Sequence, residues 1–293
     1  MKTVYRFRSR VRIAALALLA AWFVGPGDGR TQSPGAQMPG GLACQKVPPE
    51  GHVTSNPIAC TVSCARGGKV TSALALAPRT TAVLTITING TCVEAVEQVP
   101  GNVTLQGASS GDGFQAPDAS SNPVLGISGT GVTLDNLTIS GGVNALLVRS
   151  GASAVGNNLV IEGSSSRNVL ANGLLTLNSA TIEHSNGDGI DALSGGIVFL
   201  NGGTVGNNSR GILVGGGSYL LATAGALISN NTANHGVEVS GGSLLSVFAA
   251  TIESNPLERY QPFRRRWRAG ERWRRSCPGR PHFQQWGIWH LRF

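Results

Sequence analysis

Charge is scarce through the middle of this chain. Between Thr31 and Glu258 seven basic residues face thirteen carboxylates, a net of −6, although the whole chain is formally +8. The positive excess sits at the ends, with six basic residues at or before Arg30 and ten between Arg259 and Arg292. The basic balance therefore does not mark a nucleic-acid surface, and no nucleic acid is expected as a partner. Long apolar runs are missing too. The stretch IAALALLAAWFV, preceded by Lys2, Arg6, Arg8, Arg10 and Arg12, is too short to cross a bilayer comfortably, and no transmembrane span is expected. Basic residues followed by a short apolar run form a secretory signal peptide, read here as 1–26, with a Gly/Pro/Ser-rich linker over 27–43. The mature chain is then extracytoplasmic or secreted.

Metal-ligand spacings are lacking as well. Cys44, Cys60, Cys64 and Cys92 fall in the stretch 44–100, and the Cys60-x3-Cys64 pair has no companion histidine or second close cysteine pair. In an oxidising compartment these four cysteines predict two disulfides, with three pairings open. Cys277 is left over in the tail. Aromatic residues are few in the body, where Phe199, Tyr219 and Phe248 are the ones the repeats hold. Of these, Phe199 is expected in the core.

What the chain does have is a repeat. Aligned on an apolar residue that ends a short strand, Ile139, Ile161, Ile182, Val205, Ile228 and Ile252 follow one another at steps of 22, 21, 23, 23 and 24 residues. Such a period predicts a solenoid. Each repeat holds three short runs of β-formers separated by Asn/Gly turns, as in ATIEHSN, GIDALSGG and IVFLNGG. Three short strands and three turns use up roughly 22 residues per circuit at about 3.3 Å per strand residue. The 41 glycines and the repeated Asn-Asn and Gly-Gly pairs break any useful helix. The leucine-rich frame LxxLxLxxN is missing. The expected fold is all-β, with the coils over 101–256 and the cysteine-bearing stretch 44–100 as an N-terminal cap and first strands.

These repeats resemble those of the right-handed parallel β-helix in the pectate-lyase-like superfamily, over Val103 to Asn255 and back to about Leu84. The resemblance implies a right-handed parallel β-helix. It does not imply one activity, because that fold carries lyases, hydrolases, adhesins and silent proteins. At one turn Asn186, Asn208, Asn231 and Asn255 recur, a spacing that predicts a ladder of amide hydrogen bonds along the stack. Asn-x-Ser/Thr sequons at Asn89, Asn102, Asn136, Asn207 and Asn230 come from the same turn chemistry.

Asn186-Gly187-Asp188-Gly189-Ile190-Asp191 is similar to the Asn-x-Asp-Gly-x-Asp stretch of polygalacturonases. The departures follow on later coils. Asn208-Ser209-Arg210-Gly211 stands where that pattern needs an Asp-Asp pair, and Asn234-His235-Gly236 matches its Gly-His-Gly only in part. A hydrolase of this kind needs two carboxyl groups on either side of the scissile bond. A related column survives the alignment: Arg167, Asp188, Arg210 and His235 each lie two residues before a core position. In a lyase, an arginine would clamp a uronate carboxylate while a second basic group removes the proton α to it. The candidate catalytic residues are thus Asp188, Arg210 and His235, with Arg167, Asp191 and Glu238 as candidate substrate-binding residues. Asp191 and Glu238 are two coils apart with Leu213 between them, so no metal and no cofactor are expected.

The tail 257–293 abandons the repeat. It contains four of the five Trp residues and reads LERYQPFRRRWRAGERWRRSCPGRPHFQQWGIWHLRF. One reading is a basic, aromatic surface-binding segment; the other is translation out of frame, since a shifted reading turns Arg264-Arg265-Arg266-Trp267 into a glycine run. For the whole chain two classes of function follow. The leading one is a noncatalytic module, structural or surface-interacting, with a polysaccharide or cell-surface glycan as the expected partner of the latter; the alternative is a lyase or hydrolase acting on acidic polysaccharide.

Overall fold

The strands follow the alternation of the sequence. In Leu84–Asn89, Leu84, Ile86 and Ile88 are buried while Thr85 and Thr87 turn outward. Repeated coil after coil, this alternation closes a hydrophobic interior. The computed structural model describes residues 41–46, 58–75, 83–223, 225–233, 235–255 and 289–292. The signal-peptide reading, Cys277 and nearly all of the tail lie outside them.

The described residues wind into a right-handed parallel β-helix of about 8 turns, and almost none of them are helical, the hand being the one that a right-twisted strand imposes on parallel crossovers. Each coil has three faces. The first runs through Leu84–Asn89, Val103–Gly107, Val132–Asp135, Ser153–Asn157, the first halves of Leu174–Glu183 and Ile197–Gly206, Tyr219–Thr223 and Leu244–Val247. The second passes through Gly113–Gln115, Thr138–Ser140 and Val160–Glu162 to Leu227–Ser229 and Thr251–Glu253. These two faces merge into a 17-stranded sheet. The third is a separate 7-stranded sheet that includes Asn144–Val148, Arg167–Ala171, Asp188–Ala192, Arg210–Val214 and Val237–Val239.

The repeat residues used to align the sequence stack directly. Ile139 pairs with Ile161, Ile161 with Ile182, Ile182 with Val205, Val205 with Ile228 and Ile228 with Ile252. At the corner leading from the second face to the third, His184, Asn207, Asn230 and Ser254 adopt the left-handed conformation, which short polar side chains tolerate better than most. At the bend inside Ile197–Gly206, Gly203 has φ +85 and a Cβ there would lie 2.1 Å from the Ala180 carbonyl oxygen. Only glycine fits that corner.

The amide ladder forms with one change of membership. Asn208 Nδ2 donates to Asn231 Oδ1 and Asn231 Nδ2 to Asn255 Oδ1, at 3.2 and 3.0 Å. Asn186 is exposed, and Ser185 takes its place in the column by donating its N–H to Asn208 Oδ1 at 2.9 Å. Phe199 is a second correction. Val198 and Leu200 fill the core at 0% exposure, so strand alternation turns Phe199 outward, where its ring meets that of Tyr219 edge-on at 6.3 Å.

At the N-terminal end, Leu42–Lys46 runs antiparallel to Ile58–Ser63, with Cys44 opposite Cys60. Two disulfides form, Cys44–Cys60 and Cys64–Cys92. Ile58–Ser63 already pairs in parallel with Leu84–Asn89, so the first face extends into the cysteine-bearing stretch. The short helix Val70–Leu74 has its first backbone N–H groups held by the Glu94 carboxylate, at 2.6 Å from Val70 N and 3.3 Å from Thr71 N. At the other end, Trp289–Arg292 pairs antiparallel with Leu244–Val247. Among the described residues no helix is long and apolar enough to cross a membrane.

Candidate functional site

The third face carries the candidate residues. Arg167 stands beside Asp188, and Asp188 beside Arg210, in strand register. Asp191 lies opposite Leu213, which lies opposite Glu238. Asp188 and Asp191 both hold arginines because the strand departs from simple alternation between them. Gly189 turns inward, where a Cβ would come within 2.7 Å of Asn208 Nδ2 and Val205 Cγ1, and Ile190 is buried in the core.

Five of the six predicted residues form two adjoining ion-paired groups, and His235 stands beside one of them. Arg210 Nε and Nη2 reach the two carboxylate oxygens of Asp188 at 2.7 and 2.8 Å, and Arg210 Nη1 reaches Glu238 Oε2 at 2.6 Å. Arg167 Nε donates to Asp191 Oδ2 at 2.5 Å. His235 Nδ1 stands 3.9 Å from Glu238 Oε2 and makes no hydrogen bond among the described residues. Arg167 reaches diagonally to a carboxylate of the next coil, whereas Arg210 pairs with its direct strand partner Asp188 and adds a diagonal contact to Glu238. A bidentate arginine–carboxylate pair is the strongest ionic geometry available to side chains.

Asp191 has 0% exposure, and its Oδ1 has no hydrogen-bond partner among the described residues. Burial pushes its carboxyl up from the ordinary value, opposed by the hydrogen bond and charge of Arg167 and reinforced by neighbouring Asp188. Arg210 is held more firmly protonated than an ordinary arginine: burial disfavours its charge, but the bonds to Asp188 and then Glu238 outweigh that cost.

A further cluster escaped the sequence reading. Glu162 and Glu183 stack in direct register on the second face, and with His184 they offer three ligand atoms within 4.8 Å of one another. The signal was present in the spacing, because each glutamate directly follows a repeat isoleucine, Ile161 or Ile182. The His184 side chain is 60% exposed, and these donors are partly or fully open to water.

Fold and face together define a parallel β-helix protein with a charged but internally paired sheet. Two similar solved structures are pectin methylesterases. The Aspergillus niger enzyme in deglycosylated form has 11% identity and a TM-score of 0.47, over 69% of this chain and 86% of that one. The Erwinia chrysanthemi enzyme has 12% identity and a TM-score of 0.43, over 70% and 91%. At these values nothing about the chain's chemistry follows from the likeness. No family profile and no curated protein matches the chain.

Proposed function

We propose that the chain is a noncatalytic, extracytoplasmic β-helix module that meets polysaccharide or cell-surface glycan through its strand faces. The observation that carries this reading is the pairing of the charged column. Every guanidinium nitrogen of Arg210 bonds a protein carboxylate, and both oxygens of Asp188 accept from Arg210. An arginine so engaged has three of its five N–H donors committed and its charge already faced by two carboxylates, which weakens it as a clamp on a substrate carboxylate. Disulfides in the N-terminal region support an oxidising, extracytoplasmic setting.

One observation favours the alternative, a lyase or hydrolase on acidic polysaccharide. Asp191 is a buried carboxyl with a raised pKa and an unpartnered oxygen, and perturbed groups gather at catalytic sites. The test is incubation with polygalacturonate, following both the ultraviolet absorbance of an unsaturated uronate and the release of reducing ends. Neither signal is expected to rise above that of buffer. Turnover that disappears in a folded Arg210→Ala variant would replace the noncatalytic reading with the enzymatic one.

A further inference from the structure

The first face differs from the third in what its outer side lacks. From 153 to 247 its strands read SAVGN, LLTLN, IVFLN, YLLAT and LLSV, without a charged residue. Two outward columns cross them. Leu174, Ile197 and Tyr219 stack in register, and beside them Thr176, Phe199 and Leu221 do the same. Leu174 and Ile197 are 40% and 39% exposed, and Phe199, Tyr219 and Leu221 are half-buried. The five strands span four strand spacings, about 19 Å, by about 16 Å along the strands, so the whole uncharged face, from the apolar columns to the strand ends, is on the order of 300 Å².

A third column edges this patch with amides. Asn178 Nδ2 donates to Asn157 Oδ1 at 2.8 Å, Asn201 Nδ2 to Asn178 Oδ1 at 3.0 Å, and Thr223 Oγ1 to Asn201 Oδ1 at 2.8 Å. An amide has two N–H donors and two acceptor lone pairs. Asn178 and Asn201 therefore keep donor and acceptor capacity beyond the bonds that align them.

We propose that this uncharged face, centred on Phe199 and Tyr219, is where a glycan lies, and that the glycan is a neutral, extended chain of the cellulose or mannan type. This rests on the glycan-meeting reading above and assigns its face and its ligand class. Three arguments converge. Rings backed by aliphatic side chains match the apolar faces of pyranose units, while the amide column meets their hydroxyls. An anionic chain would lose its hydration on the first-face strands from 153 to 247, which hold no cation to replace it; Arg292, in register with Leu244, belongs to the strand at their edge. A second copy of the chain is the poorer occupant, since a stable interface needs about 800 Å² from each partner. The flat strand surface, without walls, selects a straight ribbon over a branched or folded ligand.

The test is affinity electrophoresis in native gels cast with hydroxyethyl cellulose, with galactomannan and, separately, with polygalacturonate. The variant combines Phe199→Thr and Tyr219→Ser, which install the residues that earlier coils hold in the same columns, Thr176 and Ser153; far-ultraviolet circular dichroism checks its fold. The expected result is retardation of the native chain by a neutral polymer but not by polygalacturonate, weakened at least roughly tenfold in the variant through loss of aromatic burial. Unchanged retardation in the variant would leave the glycan reading standing and overturn this face. Retardation by polygalacturonate alone would overturn the neutral ligand class, and no retardation in any gel would overturn the glycan reading itself. Sedimentation showing a dimer that the variant dissolves would assign the face to a second copy instead.

Discussion

Asn208 is the side chain whose loss should cost this fold most for its size. It is fully buried. Its Nδ2 shares two N–H hydrogens among three acceptors, the carbonyls of Ile182 and Gly206 at 3.1 and 2.9 Å and Asn231 Oδ1 at 3.2 Å. Its Oδ1 accepts from Ser185 N at 2.9 Å and from Asn168 Nδ2 at 3.2 Å. In Asn208→Ala, the Ser185 N–H and the inward carbonyl of Gly206 lose partners in a place water does not reach. At 1–3 kcal/mol for each stranded group, the expected loss is about 4 kcal/mol. With a urea slope of about 2 kcal/mol/M, the denaturation midpoint should fall by about 2 M. The neighbouring Asn207 is the control. It is exposed and has φ 56, so Asn207→Ala should lose only about 1 kcal/mol, for a left-handed residue without its short polar side chain. Urea unfolding followed by far-ultraviolet circular dichroism compares the two. Equal midpoint shifts would refute the ladder as a principal support of the stack.

Two further predictions concern charge and crosslinks. Because burial raises the Asp191 carboxyl above its unfolded value, the folded state binds more protons between the two values, and stability falls as pH rises through that window. Asp191→Asn removes this titration, so the variant should gain on the native chain as pH rises above the ordinary aspartate range, measured by urea midpoints at each pH; parallel curves would count against a raised Asp191. Replacing the cysteines by serine should cost about 3 kcal/mol for Cys44–Cys60 and about 3.5 kcal/mol for Cys64–Cys92 by loop-closure entropy, given separations of 16 and 28 residues. Thermal unfolding of each double variant checks this, and a loss confined to one pair would show that the other closes no loop in the unfolded chain.

The winding of the chain was legible because a coil must return the same kind of residue to the same place. The column from Ile139 to Ile252 could therefore be found by spacing alone, and the succession Arg167, Asp188, Arg210 by counting back from core residues. Less was legible where a side chain's reach decides. Arg167 chooses a diagonal carboxylate in the next coil and Arg210 adds diagonal Glu238 to its strand partner Asp188, and sequence spacing specifies strand partners, not the path of a long flexible side chain. The Asn186 position failed by a single residue. The turn that follows Glu183 enters through left-handed His184, which places Ser185 in the column and leaves Asn186 outside. Phe199 misled for a different reason: hydrophobicity suggested the interior, yet alternation with Val198 and Leu200 put it on the surface.

Strand direction sets a limit on this architecture. Parallel coils follow a single rule of addition, each laid on the last with the same polarity, and such a rule holds no instruction for stopping. At both ends of the first face the polarity reverses, in Leu42–Lys46 and in Trp289–Arg292. A reversed strand satisfies the edge it covers but presents the wrong register and direction to any further coil. The two reversals act as punctuation, and one of them is sealed by the covalent bond between Cys44 and Cys60.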